Sequence, residues 1–142
     1  MKKILITLLF MLPIFSFAQE IVGKWKTIDD ETGKAKSVVE IYKATNGKIY
    51  GKVFKILTVG EENKKCTLCE GDQKDKPITG MVILEGLSKD GNEWNGGTIF
   101  DPNKNKRYKC YISLESADKL KVRGYIGFSL IGRTQYWYKI NE

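Results

Sequence analysis

The sequence predicts an all-β fold, an eight-stranded antiparallel up-and-down barrel, on two observations. Eight short stretches alternate apolar and polar residues, the period-2 signature of half-buried strands. Turn signals separate them at Asp30, Gly33, Asn46-Gly47, Asp90-Gly91, Pro102-Asn103 and Asp118, which leaves almost no room for helices. Short links favour a meander, and closing it removes the unpaired edges that an open sheet would expose. Periodicity alone also admits a two-sheet sandwich.

The first expected strand is Ile21 to Ile28, with Trp25 as its large aromatic residue. The second runs from Lys36 to Lys43, where Val39 and Ile41 alternate with Glu40 and Tyr42. Asn46-Gly47 then reads as a two-residue hairpin turn, because both residues tolerate positive φ. The third strand, Lys48 to Leu57, sets Ile49, Gly51 and Val53 against Tyr50, Lys52 and Phe54. Thr58 to Pro77 is a long polar loop. The fourth strand, Ile78 to Leu87, is apolar on both faces, and the fifth, Glu93 to Phe100, carries Gly96 and Gly97, a bulge signal. In the sixth, Arg107 to Leu114, Tyr108, Cys110, Ile112 and Leu114 share a face. The seventh, Lys119 to Tyr125, puts Leu120, Val122 and Gly124 inward. A Gly-bounded apolar link, Ile126 to Gly132, leads to the last strand, Arg133 to Ile140.

Met1-Lys2-Lys3 followed by an apolar run to Phe17 and the triplet Ser16-Phe17-Ala18 has the form of a cleavable export signal, residues 1–18. The run is short for a membrane span of ~20 residues, so we expect no stable membrane insertion and a periplasmic or secreted destination. The rest, residues 19–142, fits a single barrel domain. The chain carries a net charge of +7, and losing Lys2 and Lys3 leaves +5. Only Arg107, Arg123 and Arg133 are arginines and the lysines are scattered, so we expect a solvated lysine surface and no nucleic-acid partner.

Gly23-Lys24-Trp25 has the Gly-x-Trp form found near the start of lipocalins, and Arg133 with Trp137 resembles the end of that fold. Gly96-Gly97-Thr98-Ile99-Phe100-Asp101-Pro102, Val122-Arg123-Gly124-Tyr125, Gly132-Arg133-Thr134-Gln135 and Tyr50-Gly51-Lys52 complete a pattern. Together these segments, from about Ile21 to Ile140, resemble the domain-of-unknown-function 2147 family of small exported bacterial proteins. The resemblance implies a lipocalin/calycin-like barrel and a ligand cavity, and names no activity or ligand. It also implies that Arg133 packs over Trp25 and, with Gly23, closes the barrel where first and last strands meet, a cation–π contact of ~0.5–2 kcal/mol.

Chemistry has few footholds. The chain has no histidine, which removes the commonest general base and metal ligand together. Most carboxylates fall in turns, where they are solvated or bonded to their own backbone. We therefore expect no enzyme, no cofactor and no metal site. For Cys66-Thr67-Leu68-Cys69 three states are open: a small-ring disulfide pinning the long loop, a redox pair, or a metal site. The disulfide is favoured, because no βαβ context or further ligands accompany the pair. Cys110 is then a free thiol buried as a small hydrophobe. Glu70, Asp72 and Asp75 lack the spacing of a calcium loop and are surrounded by lysines.

The function expected is binding of a small, largely apolar ligand, with Tyr50, Trp94, Tyr125, Phe128 and Trp137 as aromatic contacts and Arg133 as polar anchor. Strand parity turns Arg123 outward. The apolar link around Phe128 reads either as a lid or hydrophobic rim at one barrel mouth or as a plug folded into that end; the plug is favoured, since exposed apolar runs of that size are unusual. The rival reading is a filled-core structural or interaction protein of the cell envelope with no ligand. Interior volume separates the two, and oligomeric state is left open.

Overall fold

Alternating side chains pull the chain into eight strands: β1 (Gly23–Ile28), β2 (Ala35–Lys43), β3 (Ile49–Ile56), β4 (Val82–Asp90), β5 (Glu93–Asp101), β6 (Lys106–Ser116), β7 (Lys119–Tyr125) and β8 (Gly132–Ile140). The computed structural model describes residues 13, 20–128 and 130–141; apart from Pro13, the expected leader lies outside the described residues. Each strand pairs antiparallel with the next, and β8 returns to β1 with Trp25 opposite Lys139 and Thr27 opposite Trp137. The barrel is closed, as the periodicity predicts. The helical content among the described residues is one 3-10 turn, Gly71–Gln73.

Antiparallel order sends the connections alternately to two ends. At the foot lie the β2–β3, β4–β5 and β6–β7 turns and the segment entering β1. That half is filled: Trp25, Ile41, Leu87 and Leu120 are fully buried, and Trp94 points inward beside Ile112. Ile21 folds under the floor, where its carbonyl accepts the Trp25 indole N–H at 2.8 Å. The β1–β2, β3–β4, β5–β6 and β7–β8 connections crown the other end, the mouth.

Two local expectations need correction. Asn46-Gly47 sits in a five-residue connection rather than a two-residue turn. Asn46 Oδ1 accepts the Lys48 N–H at 3.0 Å, Ala44 and Lys48 close the loop at 2.9 Å, and only Gly47 takes positive φ. The fourth strand begins at Val82, not Ile78. Gly80 turns the chain at φ +91°, and the Ile78 N–H is bonded to Lys64 O inside the long loop. Ile78 and Met81 are apolar because they are buried, not because they are strand residues.

The Gly96–Gly97 bulge is where it was expected. The β5–β6 register shifts between Trp94 and Gly97, and Gly96 has φ +78°.

Cys66 and Cys69 form the disulfide, with Cα atoms 5.3 Å apart and both residues buried. Around it the Cys66 N–H bonds Lys76 O at 2.8 Å and the Asp75 N–H bonds Cys66 O at 2.9 Å. The Cys66 sulfur rests 3.4 Å from Pro102 O, which ties the long loop to the β5–β6 turn. Closing so short a ring in the unfolded chain predicts a loss of about 2 kcal/mol in the Cys66→Ala/Cys69→Ala double variant, read as a lower urea midpoint.

Cys110 is the free thiol, buried on the inward face of β6. Burial pushes its pKa up to about 12 from an ordinary value of 9.0, because the thiolate would lose its hydration. A raised folded-state value stabilises the fold fully below pH 9 and is lost as pH climbs from there towards 12. A disulfide-exchange reagent at pH 8 should therefore leave Cys110 unmodified until the protein is unfolded.

Candidate functional site

The mouth half of the barrel is hollow. A cavity of about 380 Å³ opens between the crown loops and ends on the packed foot. Its walls are mainly aliphatic: Val53 of β3, Ile83 of β4, Ile99 of β5 and Val122 of β7, with the Trp137 indole of β8. Gly124 of β7 also faces in, and its missing side chain keeps space open: a Cβ there would lie 3.3 Å from Ile99 Cγ2 and 3.5 Å from Tyr108 Cβ. Higher up, Ile56, Ile78, Pro102, Ile126 and Ile131 narrow the opening.

The polar groups inside are largely paired with one another. Thr27 Oγ1 and Ser37 Oγ are 2.8 Å apart across β1 and β2, and Thr27 Oγ1 also accepts the Ser37 N–H. Gln135 Oε1 accepts the Trp137 indole N–H at 3.3 Å. Such mutual bonding removes the cost of burying these groups and leaves an environment suited to apolar guests. Lys36, Lys64 and Lys104 stand around the opening with Arg133.

Arg133 is held by the β1–β2 turn. Its Nε donates to Asp30 Oδ2 at 2.9 Å, a terminal nitrogen donates to Asp30 Oδ1 at 2.6 Å, and the same nitrogen lies 3.4 Å from Glu31 Oε1. The Asp30 carboxylate, through its hydrogen bonds and its charge, raises the guanidinium pKa further. The turn itself is set by Asp29, whose carboxylate accepts the Thr32 and Glu31 N–H groups and so titrates below its ordinary value.

This closed meander with a hollow mouth fits the family model described as "Uncharacterized protein conserved in bacteria (DUF2147)", which matches residues 23–139. The chain belongs to that family. Among solved structures it is similar to Protein HP1028 from the human pathogen Helicobacter pylori, described as belonging to the lipocalin family. That likeness has a TM-score of 0.76 and 23% identity, over 88% of this chain and 86% of the other. At such identity the likeness shows the fold, a lipocalin-like barrel. No curated protein matches the chain in sequence.

Within this DUF2147 barrel the residues expected as ligand contacts separate. Trp137 lines the cavity, and Tyr125 and Arg133 meet it at the rim. Tyr125 occupies an outward position of β7, its ring 6.2 Å from Tyr111 on the outside. Tyr50 is outside as well, stacked on Tyr42 at 6.1 Å. Trp94 is packed into the filled half and does not line the cavity. Phe128 is 75% exposed. The link that carries it is not a plug: Ile126 N–H bonds Ile131 O and Ile131 N–H bonds Phe128 O, so the segment stands up from the rim as a turn. Ile126, Leu130 and Ile131 are exposed with Phe128.

The expected Arg133–Trp25 contact is also absent. Arg133 is at the mouth and Trp25 at the floor, about 20 Å apart along β8 at ~3.4 Å per residue. Lys139 is the cation over Trp25, its Nζ 5.6 Å from the ring centroid. Gly23 does belong to the closure, starting β1 with φ +141° and Lys139 Cε 3.6 Å from where its Cβ would be. Arg123 points outward, as parity predicts, and donates to Thr134 Oγ1 at 2.9 Å. Among the described residues no group of three or more metal-ligating side chains converges, and no helix is long and apolar enough to cross a membrane.

The aliphatic lining was missed because large aromatics were preferred as contacts. Parity carried the better signal: Val53, Ile99 and Val122 share the inward face of their strands and lie on the mouth side.

Proposed function

We propose that this protein binds a small, largely apolar molecule in the mouth half of its barrel. One observation carries the reading: about 380 Å³ of mainly aliphatic space lies inside a closed barrel, with Thr27 bonded to Ser37, Gln135 bonded to Trp137, and cations at the rim. Pockets of ~300–1,000 Å³ lined by apolar side chains suit small ligands. The lipocalin description of the Helicobacter pylori structure is consistent with it. In this reading the chain is a binding protein rather than an enzyme, since the cavity walls are mainly hydrocarbon. We further propose that it works after export, in the periplasm or outside the cell, which accords with the charged-then-apolar start and a disulfide that an oxidising compartment maintains.

Native mass spectrometry of gently purified protein tests the reading. A discrete small-mass adduct, released on denaturation, is the expected result. Bare protein that also fails to take up an apolar fluorescent probe would overturn it.

A further inference from the structure

Six of the cations scattered in sequence, Lys24, Lys26, Lys109, Lys119, Lys121 and Arg123, come together on one outer face. Outward positions of β7 are Lys119, Lys121, Arg123 and Tyr125, and pairing fixes their neighbours. Lys119 is opposite Tyr138 of β8, and Lys121 lies between Tyr136 of β8 and Ser113 of β6. Tyr138 in turn is opposite Lys26 of β1, with Lys24 two residues along. On the other flank Tyr111 and Lys109 of β6 continue the surface. Every outward position of β7, β8 and β1 is cationic or uncharged. The nearest acids border this wall: Glu93 on β5, Glu115 and Asp118 at the foot, Asp29, Asp30 and Glu31 at the mouth, the last two engaged by Arg133, and Glu40 on β2, opposite Lys24 and engaged by Lys52 at 3.4 Å.

Tyrosine rings hold the wall lysines in place. Lys119 Nζ lies 4.5 Å from the Tyr136 ring centroid and 5.9 Å from that of Tyr138, and Lys121 Nζ lies 5.8 Å from that of Tyr111. Tyr136 and Tyr138 nonetheless keep 39% and 40% of their surface exposed. Outward neighbours repeat every ~7 Å along a strand and every ~4.8 Å across strands, so the wall is a regular grid of positive charge set with phenols.

We propose that this wall is a docking surface for an acidic polysaccharide. An extended carboxylate-bearing chain matches a flat array of ammonium groups. Exposed tyrosines add ring faces for sugar C–H groups and hydroxyls that donate to sugar oxygens. Lysine predominates here, whereas nucleic-acid recognition favours the planar fork of arginine. The surface lies outside the barrel and does not depend on what fills the cavity.

Titration of the full protein with polygalacturonate, neutral dextran and an oligothymidylate decides the matter. Saturable binding to polygalacturonate, none to dextran, and an affinity that falls steeply with salt are expected. The triple variant Lys26→Gln/Lys119→Gln/Lys121→Gln should bind at least about tenfold more weakly, as lost phosphate or carboxylate contacts do in other polyelectrolyte complexes. The mouth variant Lys36→Gln/Lys104→Gln should match wild type, and Tyr136→Ala/Tyr138→Ala should weaken binding with no change in charge. Absence of binding at low salt, equal losses in wall and mouth variants, or tighter binding to the oligothymidylate would each overturn the proposal.

Discussion

Replacing Gly97 with valine is expected to destabilise the barrel by about 3 kcal/mol or more, against a total of only ~5–15 kcal/mol for a typical domain. A Cβ at Gly97 would collide with the β4 backbone, meeting Glu85 O and lying 2.8 Å from both Gly86 C and Leu87 N. Backbone atoms in a paired strand cannot step aside as a flexible side chain can. The strand sits close because the bulge at Gly96 bends β5 there, and that bend helps to close eight strands into a ring. The neighbouring Gly96 supplies the control. It has φ +78° and open space around its Cβ position, so Gly96→Ala should cost only the ~1–2 kcal/mol of a left-handed backbone. Urea unfolding of the two variants reads the difference; equal losses would mean that the close approach of β4 and β5 is not what demands Gly97.

Trp25→Ala should cost about 3–5 kcal/mol, the usual range for deleting a buried aromatic side chain. Trp25 is completely buried at the floor and is bonded to Ile21 O, so truncation opens a void and orphans a carbonyl together. Trp25→Phe keeps most of the hydrocarbon and loses the bond, and should cost about 1–2 kcal/mol. Arg133→Ala should leave stability within ~1 kcal/mol, because its ion pairs with Asp30 and Glu31 are exposed. Comparable destabilisation by Trp25→Ala and Arg133→Ala would restore the guanidinium to the floor.

The barrel was legible because its determinants are local. Period-2 alternation, turn residues and paired glycines each act within a few residues, and together they leave one plausible closed sheet. The candidate site was only partly legible. Lys139 rather than Arg133 covers Trp25 because the register of β8 against β1 decides which cation reaches the floor, and a single sequence does not encode register explicitly. Tyr50 could have been placed outside by parity, since it shares a face with Lys52. Trp94 faces inward as parity requires, but its position near the foot puts it in the filled half. The Phe128 link was misread because an exposed apolar link is physically costly; its ends, Ile126 and Ile131, line the opening while Phe128 at its tip is exposed. The lysine wall was hidden for a related reason: cations dispersed along β1, β6 and β7 meet only after the sheet is assembled.

A hollow upper half is the feature on which the proposed binding function rests, and filling it is the sharpest probe. Val122 faces the cavity from β7 without closing it, so Val122→Phe should occupy the empty space at little cost to the unfolding midpoint. Fluorescence titration with the neutral apolar probe N-phenyl-1-naphthylamine should show saturable one-to-one binding in wild type, weakened about 30-fold or more in Val122→Phe, a change of ~2 kcal/mol. Unchanged affinity in a correctly folded Val122→Phe protein, or no uptake by wild type, would contradict a ligand site within the barrel.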